Sequence, residues 1–347
     1  MTSRGIWKDR VRAVALGGGH GLHATLSALC LLGEGGLLTE PVTAVVGDGD
    51  DGGSSGRLRR ELGVLPPGDL RMAMAALSGR AAGPWAPLLQ HRFAGSGALA
   101  GHAVGNLMLA GLMEVLGDPV AALDEVGRLL GVRGRVLPMC CEPLDIEADV
   151  TGLDPGGDPD REHRIRGQVA VATTPGRVRR VRLRPRRPRA CADAVAAVRE
   201  ADLLLLGPGS WFTSVLPHLL VPELREAVIA SRGRRVVVLN LAPEPGETAG
   251  FSPEQHLAVL SQHAPGLRID AVIADIAAVA VPERLRRAAR GMLRAPAVSS
   301  AEGGVHLAAV AADDAATPRH APAALADALA AVVGAFPAGP GAAERRI

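Results

Sequence analysis

Short apolar, β-branched segments alternate along this chain with segments of helical periodicity. Val11–Leu16 and Val42–Val46 each predict a strand, and between them Leu22, Leu26 and Leu29 recur at the spacing of one helix face. This order is typical of βαβ units, in which a helix joins two parallel strands. The chain is therefore expected to be an α/β protein built on a parallel sheet.

The same alternation continues through the second half of the chain. Leu203–Leu206 is uniformly apolar, as expected for a strand buried on both faces. Asp118 and Pro119 have the types preferred at the start of a helix, and Gly131 the type preferred just after its end. Further strands are predicted at Val236–Leu241 and Ile269–Ala274, and further helices at Pro222–Ser231, after the capping box Ser252–Gln255, and at Pro322–Phe336.

Helical periodicity disappears in the middle of the chain. Period-two segments at Ile146–Val150, Val169–Thr173 and Val178–Leu183 predict strands instead. We therefore predict a β-rich insert over residues 138–189, with a mobile loop at Asp154–Asp160. Residues 11–137 and 190–336 would together form the core, and residues 337–347 a disordered tail.

Charge and hydropathy exclude several classes of protein. The formal net charge is +2, which is too balanced for a nucleic-acid binder that depends on counterion release. Prolines at 208, 217 and 222 interrupt the uncharged stretch 203–222, so no membrane span is expected there. The apolar run near the N-terminus is too short for a signal peptide, and a cytoplasmic protein is predicted.

The cysteine and histidine spacings argue against zinc and nucleophilic chemistry. Cys30, Cys140, Cys141 and Cys191 have neither the spacing of a metal or redox motif nor the density of a disulfide scaffold, and are predicted to be reduced, buried thiols. The chain contains no GxSxG or HExxH motif.

The first candidate for ligand binding is the glycine-rich segment Gly17–Gly21, which follows a predicted strand and opens a helix. Backbone amides at such a helix start can hold a phosphate. The glycines could instead serve only a tight turn. A third interpretation is a dinucleotide motif running from Gly19 to Ala24, with Asp48 as the carboxylate that binds a ribose.

A second candidate, residues 48–59, follows the second predicted strand. Two carboxylates, Asp50 and Asp51, precede small residues at 52–56 and the arginine Arg57. Amides, hydroxyls and a guanidinium are the groups that bind a diphosphate, and an acid pair can hold a divalent cation or orient a hydroxyl. The alternative is a solvated turn.

Other polar segments fall at the same predicted sheet edge. Arg71 is unfavourable in the first turn of a helix, so we expect it to face an anion or the acid pair. Asn106 stands in a polar segment with His102, which is as consistent with a structural as with a functional role. The segment 207–214 is a second glycine loop opening a helix, and Asn240 follows the next strand. Two such loops facing one crevice indicate a nucleotide.

Five motifs follow one another in a set order, at 50–59, 61–71, 101–106, 207–210 and 245–248. In that order they resemble the YvcK/CofD-like family, most closely its YvcK branch, from residue 11 to about residue 275. The resemblance implies a Rossmann-like core, with a mostly parallel sheet, helices on both faces and a small β-rich insert. It also implies a UDP-N-acetylglucosamine ligand and a cytoplasmic regulatory role in gluconeogenic growth, cell-wall synthesis and cell shape.

Within the family, the related CofD enzymes transfer 2-phospholactate to a deazaflavin precursor. Their pattern has a SerProAspLeuAsp-like segment where this chain reads ProProGlyAspLeuArg, so Arg71 favours the YvcK branch. The chain departs from that branch in three places: His20 replaces a frequent Thr, the segment Gly47–Gly49 replaces ThrValAla, and Met72 replaces a frequent Asn.

The leading hypothesis is a non-catalytic sensor that binds a nucleotide sugar and is read by an unknown regulatory protein, with a homo-oligomer left open. The alternative is a phospholactate-type transferase in which Asp50 and Asp51 hold magnesium, and a weaker one is an NAD-dependent oxidoreductase. No catalytic residue or resident metal is assigned. The candidate ligand-binding residues are Gly17, Gly18, Gly19, Gly21, Asp50, Asp51, Gly52, Gly53, Ser54, Ser55, Arg57, Arg71, Asn106, Gly207, Gly209, Ser210, Thr213, Ser214 and Asn240.

Overall fold

Ten strands form two sheets in the computed structural model, which describes residues 11–38, 41–78, 83–154, 156, 158–294, 304–313 and 317–335. The strands are β1 (Ala13–Gly17), β2 (Val42–Val46), β3 (Gly134–Pro138), β4 (Asp145–Thr151), β5 (His163–Arg166), β6 (Arg177–Arg184), β7 (Leu203–Leu206), β8 (Arg234–Val238), β9 (Ala271–Asp275) and β10 (Val305–Ala308).

The larger sheet has seven strands in the order β10-β9-β8-β7-β1-β2-β3, and all of its pairs are parallel. Its helices are α1 (Gly19–Glu34), α2 (Gly53–Leu62), α3 (Pro67–Ser78), α4 (Trp85–Gln90), α5 (Val104–Leu116), α6 (Pro119–Leu130), α7 (Gln168–Ala172), α8 (Ala192–Glu200), α9 (Leu216–Leu220), α10 (Pro222–Ala230), α11 (Pro253–His263), α12 (Pro282–Arg290) and α13 (Pro322–Ala335), with a π-helical turn at Trp211–Val215 before α9.

Helices cover both faces of this sheet because successive strand residues point to opposite sides. In β1, Val14 and Leu16 join one hydrophobic cluster, while Ala13 and Ala15 join the other. The first cluster includes buried side chains of α8 to α12, and the second those of α1, α3, α5, α6 and α13. The predicted α/β fold, with a mostly parallel sheet and helices on both faces, is confirmed.

A three-stranded antiparallel sheet in the order β5-β4-β6 packs on one side of the core. Ile146, Val150 and Val181 belong to the same hydrophobic cluster as Val14 and Leu16, so the small sheet shares the core of the large one. The predicted boundaries of this insert at 138 and 189 stay a prediction.

One predicted strand of the insert is wrong. Residues 169–173 fall in the short helix α7 and its C-cap, with Val171 as the buried residue. The alternation of apolar and polar types is too short over five residues to distinguish a strand from one helical turn. The predicted loop Asp154–Asp160 includes residues 155 and 157, and the predicted tail is residues 337–347; both sets lie outside the described residues.

The predicted starts of α6 and α11 are confirmed. The Asp118 carboxylate accepts hydrogen bonds from the first turn of α6, which ends at Gly131 in the left-handed conformation. Ser252 and Gln255 form the predicted capping box of α11. None of the helices in the described part of the chain has the length and apolarity needed to cross a membrane.

The expectation of four buried thiols is wrong for one of them. Cys140 and Cys191 are buried and Cys30 is partly buried, but Cys141 is exposed. Cys141 follows β3 in a bend that leads to β4, where the chain leaves the core. All four are free thiols.

Candidate functional site

The strand order creates a crevice between β1 and β7. From this point the chain fills the sheet outward in both directions, through β2 and β3 on one side and β8 to β10 on the other. Ligands of open α/β sheets bind at such a switch point, outside the carboxyl ends of the strands. Because β1, β2, β7 and β8 are mutually parallel, the loops that follow them all lie at this edge.

The glycine loops after β1 and β7 touch each other. A Cβ atom added to Gly21 would lie 2.1 Å from the carbonyl oxygen of Pro208. Thr25 Oγ1 donates to the carbonyl oxygen of Gly207 at 3.2 Å, which joins α1 to the same loop. The two predicted glycine loops therefore lie against each other, and Gly21 is required there by a close backbone approach.

A carboxylate from α3 reaches the start of α1. A Cβ atom on Gly18 would lie 2.5 Å from Asp69 Oδ2, and the amide of Gly19 lowers the pKa of this carboxyl group. Asp69 has a residue type preferred at N-caps and follows Pro66, Pro67 and Gly68, so the sequence predicts an N-cap there. This is wrong, because α3 already begins at Pro67 and Asp69 lies in its first turn. Its carboxylate interacts with the start of a different helix.

Burial and the neighbouring charge of Asp50 raise the pKa of Asp69 to about 7, against the opposing effects of the Gly19 amide and Arg71. Asp69 can therefore take up or release a proton near neutral pH. Sequence analysis missed it as a site residue, although it stands in the ProProGlyAspLeuArg motif beside Arg71.

The two acidic residues after β2 point in different directions. Asp50 Oδ1 accepts from the amide of Gly52 at 3.0 Å, and this side chain lines a cleft. Asp51 Oδ1 accepts from the amide of Val169 at 2.9 Å, which ties the loop to α7. The carboxylate that neighbours Asp50 in the cleft is therefore that of Asp69, which is nineteen positions further along the chain.

A buried hydrogen-bond chain connects α2, α5 and α3. Ser54 Oγ lies 2.9 Å from His102 Nδ1 and accepts from Asn106 Nδ2 at 2.9 Å. Arg71 Nε donates to Asn106 Oδ1 at 2.8 Å, and its guanidinium also contacts the side-chain oxygen of Gln90. The predicted residues Ser54, Asn106 and Arg71 are thus brought together. Their shared bonds fix the direction of the guanidinium.

Arg71 is a buried cation beside two acids. Burial and the charge of Arg92 lower its pKa to about 10, while Asp69 and Asp50 oppose that shift. It remains charged at neutral pH. The sequence-based expectation that Arg71 faces an anion or the acid pair therefore agrees with its surroundings, with Asp69 in the place of Asp51.

These groups surround a cleft of about 360 Å³. The first turn of α2 borders it, and the first backbone bond of that helix runs from Gly56 to Gly52, so the earlier amides can donate to a ligand. Amides, hydroxyls and a guanidinium together are suited to phosphate oxygens. The cleft is lined by Asp50, Gly52, Gly53, Ser54, Ser55, Gly68, Asp69, Arg71, Met72 and Arg92.

Three polar residues singled out in the sequence have structural partners. Arg57 donates to the carbonyl oxygen of Ala100 at 2.6 Å and so holds the loop before α5. Asn240 uses both atoms of its amide on the backbone of Gly209. Asp48 is fully buried and accepts from the amide of Cys140 at 2.6 Å. A ribose-binding role for Asp48 is therefore wrong.

The loop after β7 is held by two acids that sequence analysis missed. Ser210 Oγ donates to Glu244 Oε2 at 2.7 Å, and the amide of Phe212 donates to Glu247 Oε1 at 3.2 Å. Burial, together with the charge of Glu244, raises the pKa of Glu247 to about 8. Ser214 Oγ would lie 3.3 Å from a Cβ atom on Gly18. Thr213 is buried beside it.

Replacing Glu247 with Gln is expected to make stability less dependent on pH. A carboxyl group whose pKa is raised on folding binds more protons when folded, so its stabilisation is lost as the pH rises from its unfolded value near 4.5 toward 8. Glutamine keeps the acceptor for Phe212 and does not ionise. Relative to wild type, the variant should gain more than about 1 kcal/mol between about pH 5 and pH 9 in urea unfolding.

Glu226→Gln provides the control, because Glu226 is exposed on α10. Its stability relative to wild type should stay constant over the same range. The prediction fails if the free energies of unfolding of wild type and Glu247→Gln change in parallel with pH, because Glu247 would then be ionised in the folded protein over the whole range.

The family assignment rests on most of the chain. A sequence model described as "2-phospho-L-lactate transferase CofD" matches residues 13–303. The chain belongs to the CofD family. The matched range contains all the loops of the crevice and every cleft residue described above.

Among CofD-family relatives, the Bacillus subtilis protein named gluconeogenesis factor is 36% identical over 282 residues, covering 80% of this chain and 82% of the relative. A Mycobacterium tuberculosis relative, whose name also contains the words gluconeogenesis factor, is 60% identical over 326 residues, covering 91% and 88%. A crystal structure of a UPF0052 family member from Bacillus halodurans is 29% identical, with a TM-score of 0.76 over 94% of this chain and 99% of that one. The predicted family is therefore confirmed.

Proposed function

We propose that this CofD-family protein binds a nucleotide sugar, UDP-N-acetylglucosamine, and acts as a regulator rather than as an enzyme. The observation that carries the proposal is the cleft at the carboxyl edge of the large sheet, where Arg71 meets the first turn of α2. A diphosphate needs that combination of a fixed cation and free amides. The loops after β1 and β7 lie at the same edge of the sheet and would receive the nucleoside and the sugar.

The direction of Asp51 supports binding over catalysis. Its carboxylate is committed to Val169, so the adjacent acid pair does not converge on one point in the cleft. The same contact joins the ligand loop to α7 beside the small sheet, and Arg59 on α2 forms an ion pair with Asp145 of β4 at 2.6 Å. A ligand that orders this loop would therefore alter the small sheet, where a regulatory protein partner would detect the change.

The names of the relatives support a role in growth on gluconeogenic carbon sources. The roles in cell-wall synthesis and cell shape, and the cytoplasmic location, are part of the same proposal and rest on the family resemblance. A deletion strain should grow poorly on a gluconeogenic carbon source and normally on glucose. Equal growth on both would contradict this part of the proposal.

Thermal unfolding with a ligand panel tests the proposal directly. The panel contains UDP-N-acetylglucosamine, UDP-glucose, GDP, NAD and NADP, each with and without magnesium. A ligand at one hundred times its dissociation constant adds about 2.7 kcal/mol to the free energy of unfolding. We expect UDP-N-acetylglucosamine to stabilise the protein most, with or without the metal. Stabilisation by GDP alone, or by none of the nucleotides, would contradict it.

A second candidate function is a phospholactate-type transferase, and the specific observation that favours it is the pair Asp50 and Asp69 in one cleft. One or two carboxylates plus substrate phosphates are the usual ligands of magnesium, so this pair fits the ion. When bound, magnesium would neutralise the phosphates of the donor. Among the described residues, no group of three or more His, Cys, Asp or Glu forms a ready-made metal site.

If the protein is a transferase, a product must form from the donor and the acceptor. Purified protein, a guanosine diphosphate-linked phospholactate donor, a deazaflavin acceptor and magnesium should then yield the phosphorylated product, and an Asp69→Asn variant should not. The absence of product from wild type would remove this candidate. An NAD-dependent oxidoreductase would need Asp48 to bind the ribose of NAD, but Asp48 is buried.

A further inference from the structure

Three of the four cysteines meet at the end of β3, on the side of the core that carries α8. The amide of Cys191 donates to the carbonyl oxygen of Met139 at 3.0 Å. Next to this bond, Cys140, which follows Met139, and Ala190, which precedes Cys191, form an antiparallel bridge. Segments 139–141 and 190–191 therefore lie side by side, although about fifty residues separate them along the chain. The fourth cysteine, Cys30, lies elsewhere, with its thiol near the carbonyl oxygen of Ala76.

Cys141 and Cys191 differ in exposure but project to the same side. Cys191 is buried, with 1% of its surface accessible, whereas Cys141 is exposed. Cys191 lies opposite Met139, and Cys141, two residues after Met139, projects to the same side of the paired segments as Cys191, whereas Cys140 projects to the other side. Cys140, although adjacent in sequence, is buried, and burial raises the pKa of its thiol. Exposure and direction thus select one pair from the three cysteines.

Cys191 is the N-cap residue of α8. Sulfur at a helix start is stabilised as the thiolate by the amides and the dipole of the first turn. The contact with Cys141 and the amides of Ala194 and Asp193 lower the pKa of Cys191 to about 7 against the effect of burial. Part of the nearby acidic charge is neutralised, because Arg135 forms an ion pair with Asp193 at 2.7 Å. Cys191 is therefore the base of the pair and Cys141 the proton donor.

We propose that Cys141 and Cys191 are a site of reversible oxidation by hydroperoxides, at which a disulfide forms between β3 and α8. This inference is independent of the proposed ligand, because it uses residues outside the cleft. It also accounts for the exposure of Cys141, which the cysteine spacing did not predict. Disulfides in cells that keep thiols reduced are typically transient or redox-sensing.

The reaction balances in two steps. The Cys191 thiolate takes the proton of Cys141, whose sulfur attacks one oxygen of hydrogen peroxide. The O–O bond breaks, Cys141 becomes a sulfenic acid, and the hydroxide that leaves takes the proton back from Cys191 and becomes water. Cys191, again as the thiolate, then attacks the Cys141 sulfur and releases hydroxide, which is protonated to a second water. Two thiols lose two electrons in total, and the peroxide accepts them. A thiol reductant restores the pair.

The test uses the full chain, treated with hydrogen peroxide, quenched with an alkylating reagent and digested after arginine. Residues 136–161 carry Cys140 and Cys141 on one peptide, and residues 190–199 carry Cys191 on another. We expect these two peptides to become linked, with two of the four free thiols lost and both recovered by dithiothreitol. Fragmentation between Cys140 and Cys141 should place the link on Cys141.

Variants distinguish the pair from general oxidation. Cys30→Ser should keep the link, whereas Cys141→Ser should abolish it. Cys191→Ser should leave Cys141 as a sulfenic acid that a dimedone reagent traps, formed at least about tenfold more slowly at neutral pH because its base is missing. Circular dichroism of each variant verifies that it is folded.

Two outcomes would overturn the proposal. One is a link through Cys140, which would place the chemistry on the wrong neighbour. The other is oxidation of Cys141 at the same rate with and without Cys191, since this would show that the two thiols act separately. Either result leaves the proposed ligand site unaffected.

Discussion

Replacing Gly21 with alanine is expected to lower the free energy of unfolding by about 2–3 kcal/mol. The new methyl group would lie 2.1 Å from the carbonyl oxygen of Pro208 and 2.5 Å from its carbonyl carbon. Both are backbone atoms, so no side-chain rotation relieves the contact, and α1 must move away from the loop after β7. Overpacking of this kind costs about 1–3 kcal/mol and occasionally more. The midpoint of urea unfolding, at constant m-value, measures the loss.

Gly33→Ala is the matched control for this prediction, because Gly33 lies on the same helix. A Cβ atom there would meet only the carbonyl oxygen of Leu38, at the ordinary distance of 3.9 Å. Alanine within a helix is favoured over glycine by about 0.8–1.0 kcal/mol, so this variant should be as stable as wild type or slightly more stable. If both variants behaved alike, the loops after β1 and β7 would not be in contact.

Replacing Arg71 with alanine is expected to weaken binding of UDP-N-acetylglucosamine about 10- to 100-fold. A hydrogen bond to a charged group contributes about 1.5–3 kcal/mol, and Arg71 is the buried guanidinium that borders the cleft. Arg71→Lys keeps the charge but not the planar donor to Asn106, so its affinity should be intermediate. Isothermal titration calorimetry with the folded variants measures both effects.

Arg57→Ala is the control for this second prediction. Both arginines stand in the family motifs, but Arg57 donates to the carbonyl oxygen of Ala100 and its effect on affinity should stay below about threefold. A large loss with Arg57→Ala and none with Arg71→Ala would place the phosphates beside Arg57 instead of Arg71. That result would contradict the proposed position of the ligand while leaving the family assignment intact.

Local signals in the sequence were sufficient for most of the elements. The uniformly apolar Leu203–Leu206 is a strand with those bounds, and Asp118 and Ser252 cap the helices that they were predicted to start. These signals work because the determining contacts lie within one turn of helix or one strand. The strand predicted at Val169–Thr173 is wrong for the opposite reason. Five residues are too few for periodicity to distinguish a strand from a helix, and here they form a short helix and its C-cap packed against the small sheet.

The local sequence did not predict which acidic residues lie together in the folded protein. Asp50 and Asp51 are adjacent and looked like a pair, but neighbours in an extended segment point to opposite sides. Asp51 therefore turns to Val169, and Asp50 meets Asp69, which arrives from α3. The sequence places Glu247 only within a motif. Its raised pKa comes from burial and from the nearby charge of Glu244, and a motif shows neither.

By itself, the sequence determined the α/β class and the family, and it predicted the segments that are proposed to bind the ligand. These depend on residue type, spacing and order along the chain, all of which are local quantities. Only the tertiary structure decided that Gly21 must be glycine, that Asp69 rather than Asp51 accompanies Asp50, and that Cys141 meets Cys191. Each of these depends on segments far apart in the chain being brought together by the order of the strands. The spacing of residues along the chain does not show the order of the strands in the sheet.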